Sequence, residues 1–144
     1  MLPEWIVFIK EVEGKKPNLQ GASLGNTKLM GVDLAGADLT EADLSIAYLI
    51  RADLREANLT NADLRGAVIS EANLRGADLK GADLEDAFLS GTDLTGVSNL
   101  TCDQIELANF DKETRFPDYI QISWNTEKDF IVVRNGRACA VAKE

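Results

Sequence analysis

Residues 52–61 read ADLREANLTN, two successive units of five residues. The same unit recurs from Leu19 to Leu94, where every fifth residue is leucine except Ile69. The residue two positions earlier is small, and it is alanine in twelve of the sixteen units. Asp or Asn fills the position between them in eleven of the sixteen. Because a short repeat at a fixed period indicates a solenoid, we expect stacked units around one continuous core.

A period of five fits neither a helix nor a flat strand. Five residues at about 100° each smear the leucines around a helix, and an odd period sends successive leucines to opposite faces of a strand. Within one unit, alanine and leucine are two residues apart, so a short extended piece points both inward. The chain must therefore turn a corner between units. The predicted core is Leu39, Leu44, Leu54, Leu59, Leu64, Ile69, Leu74, Leu79 and Leu84.

The units that break the Asp/Asn rule show how many corners close a circuit. They carry Ser23, Lys28, Tyr48, Val68 and Phe88 before the leucine, and the last four lie twenty residues apart. Twenty residues are four units, so each circuit is predicted to have four sides. One of these sides differs chemically from the other three.

The A-(D/N)-L-x-x signature resembles the pentapeptide-repeat family over roughly residues 17–112. The resemblance implies an all-β solenoid, a right-handed quadrilateral β-helix of about four to five coils stacked at about 4.8 Å. The functions of this family are diverse, so the resemblance implies the fold and not a role.

The chain is predicted to divide into three segments. Residues 1–16 form an N-terminal helical cap, because Trp5 to Val12 show apolar residues at helical spacing. Residues 17–112 form the β-helix, and residues 113–144 form a tail that docks on it. Residues 97–112 fit either a fifth coil or a helical cap, with Thr101 and Gln104 spaced for a capping box.

The tail follows a different pattern from the repeats. Apolar residues alternate at 120–124, and Asn135-Gly136 before Ala138 to Val141 predicts a hairpin. The tail has too little apolar mass to fold alone and must therefore pack on another surface.

Composition argues against several classes of function. The chain has no histidine, and its net charge of −9 opposes binding to nucleic acid or to an anionic membrane. No catalytic constellation, cofactor motif or metal-ligand spacing is found, so an enzyme is not predicted. Cys102 and Cys139 fit no metal-site or disulfide pattern and are predicted to be free thiols. Without a signal peptide or an apolar span, the expected location is cytoplasmic.

Two outward surfaces are candidate sites. Asp43, Asp63 and Asp83 stack on one side, either as a ladder for divalent cations or as turn-capping groups. The candidate contact of greater interest is the apolar side, which we define as Met30, Tyr48, Ile50, Val68 and Phe88. Exposed apolar patches mark contacts, so something is expected to cover this side. The cover is either the protein's own tail or a partner, including a second copy.

These observations predict a non-enzymatic scaffold that presents a solenoid face to an unidentified protein partner or to itself. The alternative comes from the family: some pentapeptide-repeat proteins mimic DNA and inhibit or protect DNA gyrase. The stretch from Leu19 to Leu94 holds 13 acidic against 6 basic residues, which is compatible with that reading.

Overall fold

The computed structural model describes residues 1–126 and 130–139. Its helices and strands lie at the two ends of the chain, and the repeats between them form short three-residue sides joined by turns. The elements are α1 (Glu4–Gly14), a 3₁₀ turn (Lys16–Asn18), α2 (Cys102–Leu107), β1 (Ile120–Trp124), β2 (Phe130–Arg134) and β3 (Arg137–Ala138).

The repeats stack with a period of twenty residues. Tyr48 forms parallel bridges with Lys28 on one coil and with Val68 on the next, and the same spacing holds on the other sides. The backbone N–H of Tyr48 donates to Thr27 O at 2.9 Å, and that of Leu49 donates to Val68 O at 2.7 Å. The predicted four-sided circuit is therefore confirmed by the hydrogen bonds between coils.

The interior is filled by the repeated leucines and alanines. Every predicted core residue from Leu39 to Leu84 is at most 2% exposed. The alanines two positions earlier, such as Ala57 and Ala62, are also buried, because the small side chain leaves room for the leucines of the other sides.

Most corners are closed by the Asp or Asn that precedes the leucine. The side-chain oxygen accepts a hydrogen bond from the backbone N–H two residues later, which forms an Asx turn. The acceptors are Asp33, Asp38, Asp43, Asp53, Asn58, Asp63, Asn73, Asp78, Asp83 and Asp93. The last residue of each unit then takes a left-handed backbone conformation, as Gly66 (φ 66°) and Asn61 (φ 57°) do.

Helix α1 lies inside the helical cap predicted at residues 1–16. It buries Ile9 and Val12, and the Glu13 carboxylate accepts the backbone N–H of Asp33 at 2.7 Å. This bond ties the end of the helix to the first coil.

Beyond the repeats, residues 97–112 contain both a helix and a continuation of the coil. Helix α2 begins with the capping box of Thr101 and Gln104. The chain nevertheless continues the coil, because Asn109 bridges to Phe88. The Gln104 side chain donates to Leu79 O at 2.6 Å and to Ala82 O at 3.0 Å, so it satisfies two carbonyls at the end of the stack.

The tail forms an antiparallel sheet in the order β1-β2-β3. Its last turn has positive φ at Asn135 (51°) and Gly136 (77°), as the Asn-Gly pair predicts. The predicted continuation to Val141 lies outside the described residues.

The prediction of free thiols is wrong, because Cys102 and Cys139 form a disulfide across a Cα–Cα distance of 5.8 Å. The two cysteines are 37 residues apart, and no sequence spacing indicates their pairing. The docked tail brings Cys139, the residue after β3, next to Cys102 of α2. None of the helices in the described part of the chain has both the length and the apolar character that a membrane span requires.

Candidate functional site

The apolar side is held on a rigid backbone and faces outward. Ala47 and Leu49 point inward, so alternation along the three-residue side turns Tyr48 outward. Tyr48 is 40% exposed and Phe88 is 45% exposed, while Met30, Ile50 and Val68 are half-buried. The five predicted residues thus occupy four successive coils on one side.

Ile46 belongs to the same surface and was missed by the sequence analysis. It lies at the corner that leads into the apolar side, it is 56% exposed, and its φ is 57°. A β-branched side chain in the left-handed region is strained, and strain of this kind is often kept for a function. The available signal was its position, because glycine, asparagine or charged residues occupy this place in the other units.

Next to Ile46 the surface is indented. Gly66 lies one coil further along the same corner, and a Cβ added there would meet Ile46 Cγ1 at 3.6 Å. Without a side chain at Gly66, an open groove of about 400 Å³ forms between Ile46 and the carboxylates of Glu85 and Asp86.

Charged groups border the apolar side. On the edge opposite Ile46, Arg51 Nε lies 2.9 Å from Glu71 Oε2 of the next coil, and both side chains are largely exposed. Lys28 continues the column of Tyr48 toward the N-terminal end. The N-terminal half of this side is therefore basic, with Lys28 and Arg51, and the C-terminal half is acidic, with Glu71 and Asp86.

The tail attaches to the C-terminal end of the stack. The hydroxyl of Tyr119 donates to Val97 O at 2.6 Å and accepts from the N–H of Leu100 at 3.1 Å. Arg134 Nε donates to Leu100 O at 2.9 Å. Tyr48 and Phe88 stay exposed with the tail docked, so of the two covers that the sequence left open, the described part of the tail is not the one.

Aromatic rings join this end of the molecule into one cluster. Phe110 contacts three other rings at centroid distances of 4.7–5.9 Å: Phe116, Trp124 and Phe130. The apolar residues of the tail are thus used to dock the sheet at the end of the coil.

The stacked aspartates serve the fold. The Asp63 carboxylate accepts two hydrogen bonds from the Arg65 guanidinium, at 2.9 and 2.6 Å. These bonds lower the pKa of Asp63, although its partial burial acts in the opposite direction. Asp43 accepts the backbone N–H and hydroxyl of Ser45. Among the described residues, no group of acidic or sulfur side chains is arranged to hold a metal ion. The geometry matches turn capping.

Comparison with known proteins gives a family and several similar structures. The family model of pentapeptide repeats matches eight copies, at residues 16–45, 47–86 and 72–101. A pentapeptide repeat protein from the thylakoid lumen of Arabidopsis thaliana is 26% identical, with a TM-score of 0.58 over 78% of this chain and 75% of that one. No match is found among curated proteins.

Two further structures are similar over shorter stretches. A pentapeptide repeat protein of the cyanobacterium Cyanothece 51142 is 37% identical, with a TM-score of 0.44, over 62% of this chain and 64% of that one. QnrB1, a plasmid-mediated fluoroquinolone resistance protein, is 22% identical, with a TM-score of 0.41, over 65% of this chain and 60% of that one.

Proposed function

Since this chain belongs to the pentapeptide-repeat family, whose members are generally non-enzymatic structural or interaction modules, we propose that it is a protein-binding scaffold. Its contact surface is the apolar side together with Ile46. In this proposal the coil has about four to five circuits. Helix α1 caps its first end, and α2 with the tail sheet caps the other.

The exposure of Tyr48 and Phe88 carries this proposal. Two large apolar side chains on a rigid side leave area in contact with water, at a cost of about 25 cal/mol per Å². The three other sides carry mainly Asp and Asn at the same position, so the fold itself does not require apolar residues there. Contacts with a protein surface account for them.

A photo-cross-linking amino acid at position 48 tests the proposal in extract of the source cells. We expect a cross-link to a protein that is lost when Phe88 is changed to Asp. The matched control adds one negative charge on the opposite side by Asn58→Asp, and it should keep the cross-link. Equal cross-linking with and without Phe88→Asp would reject the apolar side as a contact.

The DNA-mimic alternative stays a prediction. Arginine neutralises part of the acidic surface, because Arg55 pairs with Asp53 at 2.7 Å and Arg65 with Asp63 at 2.6 Å. That pairing weakens any resemblance to a row of phosphates. A gyrase supercoiling assay with the purified chain tests this alternative directly.

The cytoplasmic location also stays a prediction, and the Cys102–Cys139 disulfide argues against it. Structural disulfides persist mainly in oxidising compartments. Alkylation of the protein in intact cells would show whether these cysteines are oxidised where the protein works.

A further inference from the structure

On the apolar side, large residues on the coil of Tyr48 are followed by small residues on the next coil. In the corner column, Ile46 is followed by Gly66, which has no side chain. In the central column, Tyr48 is followed by the smaller Val68. Along the far edge, Ile50 is followed twenty residues later by Ser70. Large residues thus lie on the coil of Tyr48 and small ones on the coil of Val68.

A surface of this kind is complementary to itself when it is reversed. Consider a two-fold axis that lies in the interface, perpendicular to the rod, midway between the coils of Tyr48 and Val68. The coil of Tyr48 in one copy then faces the coil of Val68 in the second copy, and the reverse. Ile46 of one copy then faces the groove at Gly66 of the other, and Tyr48 faces Val68. Each contact occurs twice, as in any isologous interface.

The charges agree with the same reversal. Arg51 of one copy faces Glu71 of the other, so the two intrachain pairs become a ring of four alternating charges. Lys28 faces Phe88 beside Asp86, which places the basic end of this side on the acidic end of the second copy. Ion pairs at an exposed edge add little affinity, and their main effect is to select the register.

Three other registers are unfavourable. Moving the axis to the level of Val68 sets Glu71 against Glu71 and Ile46 against Asp86. Moving it to the level of Tyr48 sets Arg51 against Arg51. Parallel rods related by an axis along their length set Lys28 against Lys28. Like charges face each other in all three cases, which favours the antiparallel register described above.

From these observations we infer that the partner of the apolar side is a second copy of this chain, in the antiparallel register that seats Ile46 in the groove at Gly66. This inference rests on the proposed function, because it names the occupant of the same surface. The exposed and strained Ile46 is the residue that the second copy covers. Four coils at about 4.8 Å make the side about 19 Å tall. With three residues per side at about 3.3 Å each, the side is about 10 Å wide and covers roughly 200 Å². That is well below the area of about 800 Å² per partner in a standard interface, so the dimer is weak.

Sedimentation of the full chain from about 10 µM to about 1 mM tests the inference, because a weak dimer is populated by mass action. We expect the mass to rise from 15.7 kDa toward twice that value. The Arg51→Glu variant and the Glu71→Arg variant should each stay monomeric. In a dimer of either variant, positions 51 and 71 of the two copies would bring four like charges together. An equimolar mixture of the two variants should dimerise, and so should the double variant that carries both changes.

The control for charge alone is Arg55→Glu, which lies on a neighbouring side and should dimerise like the parent. Circular dichroism shows that each variant is folded. A parent that stays at 15.7 kDa throughout, or a mixture that stays monomeric, overturns the inference. If the parent is monomeric while position 48 still cross-links to another protein, only the identity of the occupant is wrong. If dimers form unchanged after Tyr48→Asp and Phe88→Asp, the proposed contact surface is wrong as well.

Discussion

Replacing Leu59 with alanine tests the assignment of the core. Leu59 is fully buried in the middle of the stack, and its N–H donates to Asp78 O of the next coil at 2.9 Å. The change removes three carbons, worth about 2.4 kcal/mol at about 0.8 kcal/mol each. The coils above and below are held by their ladders and collapse little, so a cavity term adds to this and the total is about 3–5 kcal/mol.

The measurement is urea unfolding followed by far-ultraviolet circular dichroism. At this chain length the loss corresponds to a melting temperature lower by roughly 10 °C. The matched control is the neighbouring Thr60→Ala, which faces outward and gives up only the hydrogen bond from its hydroxyl to Asn58 at 2.6 Å. That loss should cost about 1 kcal/mol or less. A Leu59→Ala variant as stable as the control would refute the inward assignment.

Two further predictions concern the corners and the tail. Hydrogen bonds from Arg55 and Arg65 lower the pKa of Asp53 and of Asp63 in the folded chain. The two ionised aspartates therefore stabilise the fold fully at pH values above their unfolded pKa of about 3.9. This stabilisation is lost as the pH falls through the lowered pKa of the folded chain. Urea midpoints from pH 6 to pH 2 should therefore fall less steeply after both are changed to Asn. Changing Cys102 and Cys139 to serine opens a 37-residue loop worth at most about 4 kcal/mol, and trypsin should then cut the tail while the coil stays intact.

The repeat was predictable because the structure of each unit depends mainly on its own five residues. Alternation puts Ala57 and Leu59 inside, and the Asx turn needs only a side-chain oxygen two residues before the N–H that it caps. The exceptions at Tyr48, Val68 and Phe88 then show which residues share a side. Contacts between residues twenty apart follow directly from such a regular pattern.

The ends were less predictable, because their contacts depend on how separate segments dock. The pairing of Cys102 with Cys139 requires the tail to lie against α2, and no local spacing reveals that. The same holds for the hydroxyl of Tyr119, which binds the backbone at Val97 and Leu100. Trp124 and Phe130 of the tail pack on Phe110 and leave the apolar side uncovered.

The strain at Ile46 shows what a regular repeat can reveal about function. A unit with glycine or asparagine at this corner folds more easily, because those residues enter the left-handed region at lower cost. The chain instead places an exposed isoleucine beside Tyr48. This departure from the rule marks the surface on which contacts are expected.

Hydroxyl-radical footprinting most directly tests the central claim that another protein molecule covers the apolar side. The chain is labelled when dilute, when concentrated and in native extract, and oxidation is measured residue by residue. We predict that Tyr48, Phe88 and Ile46 react in the dilute chain and are protected in at least one of the other two states. Leu107 and Ile131, which are similarly exposed elsewhere, should react equally in all three. Equal oxidation of Tyr48 and Phe88 under every condition would contradict the account.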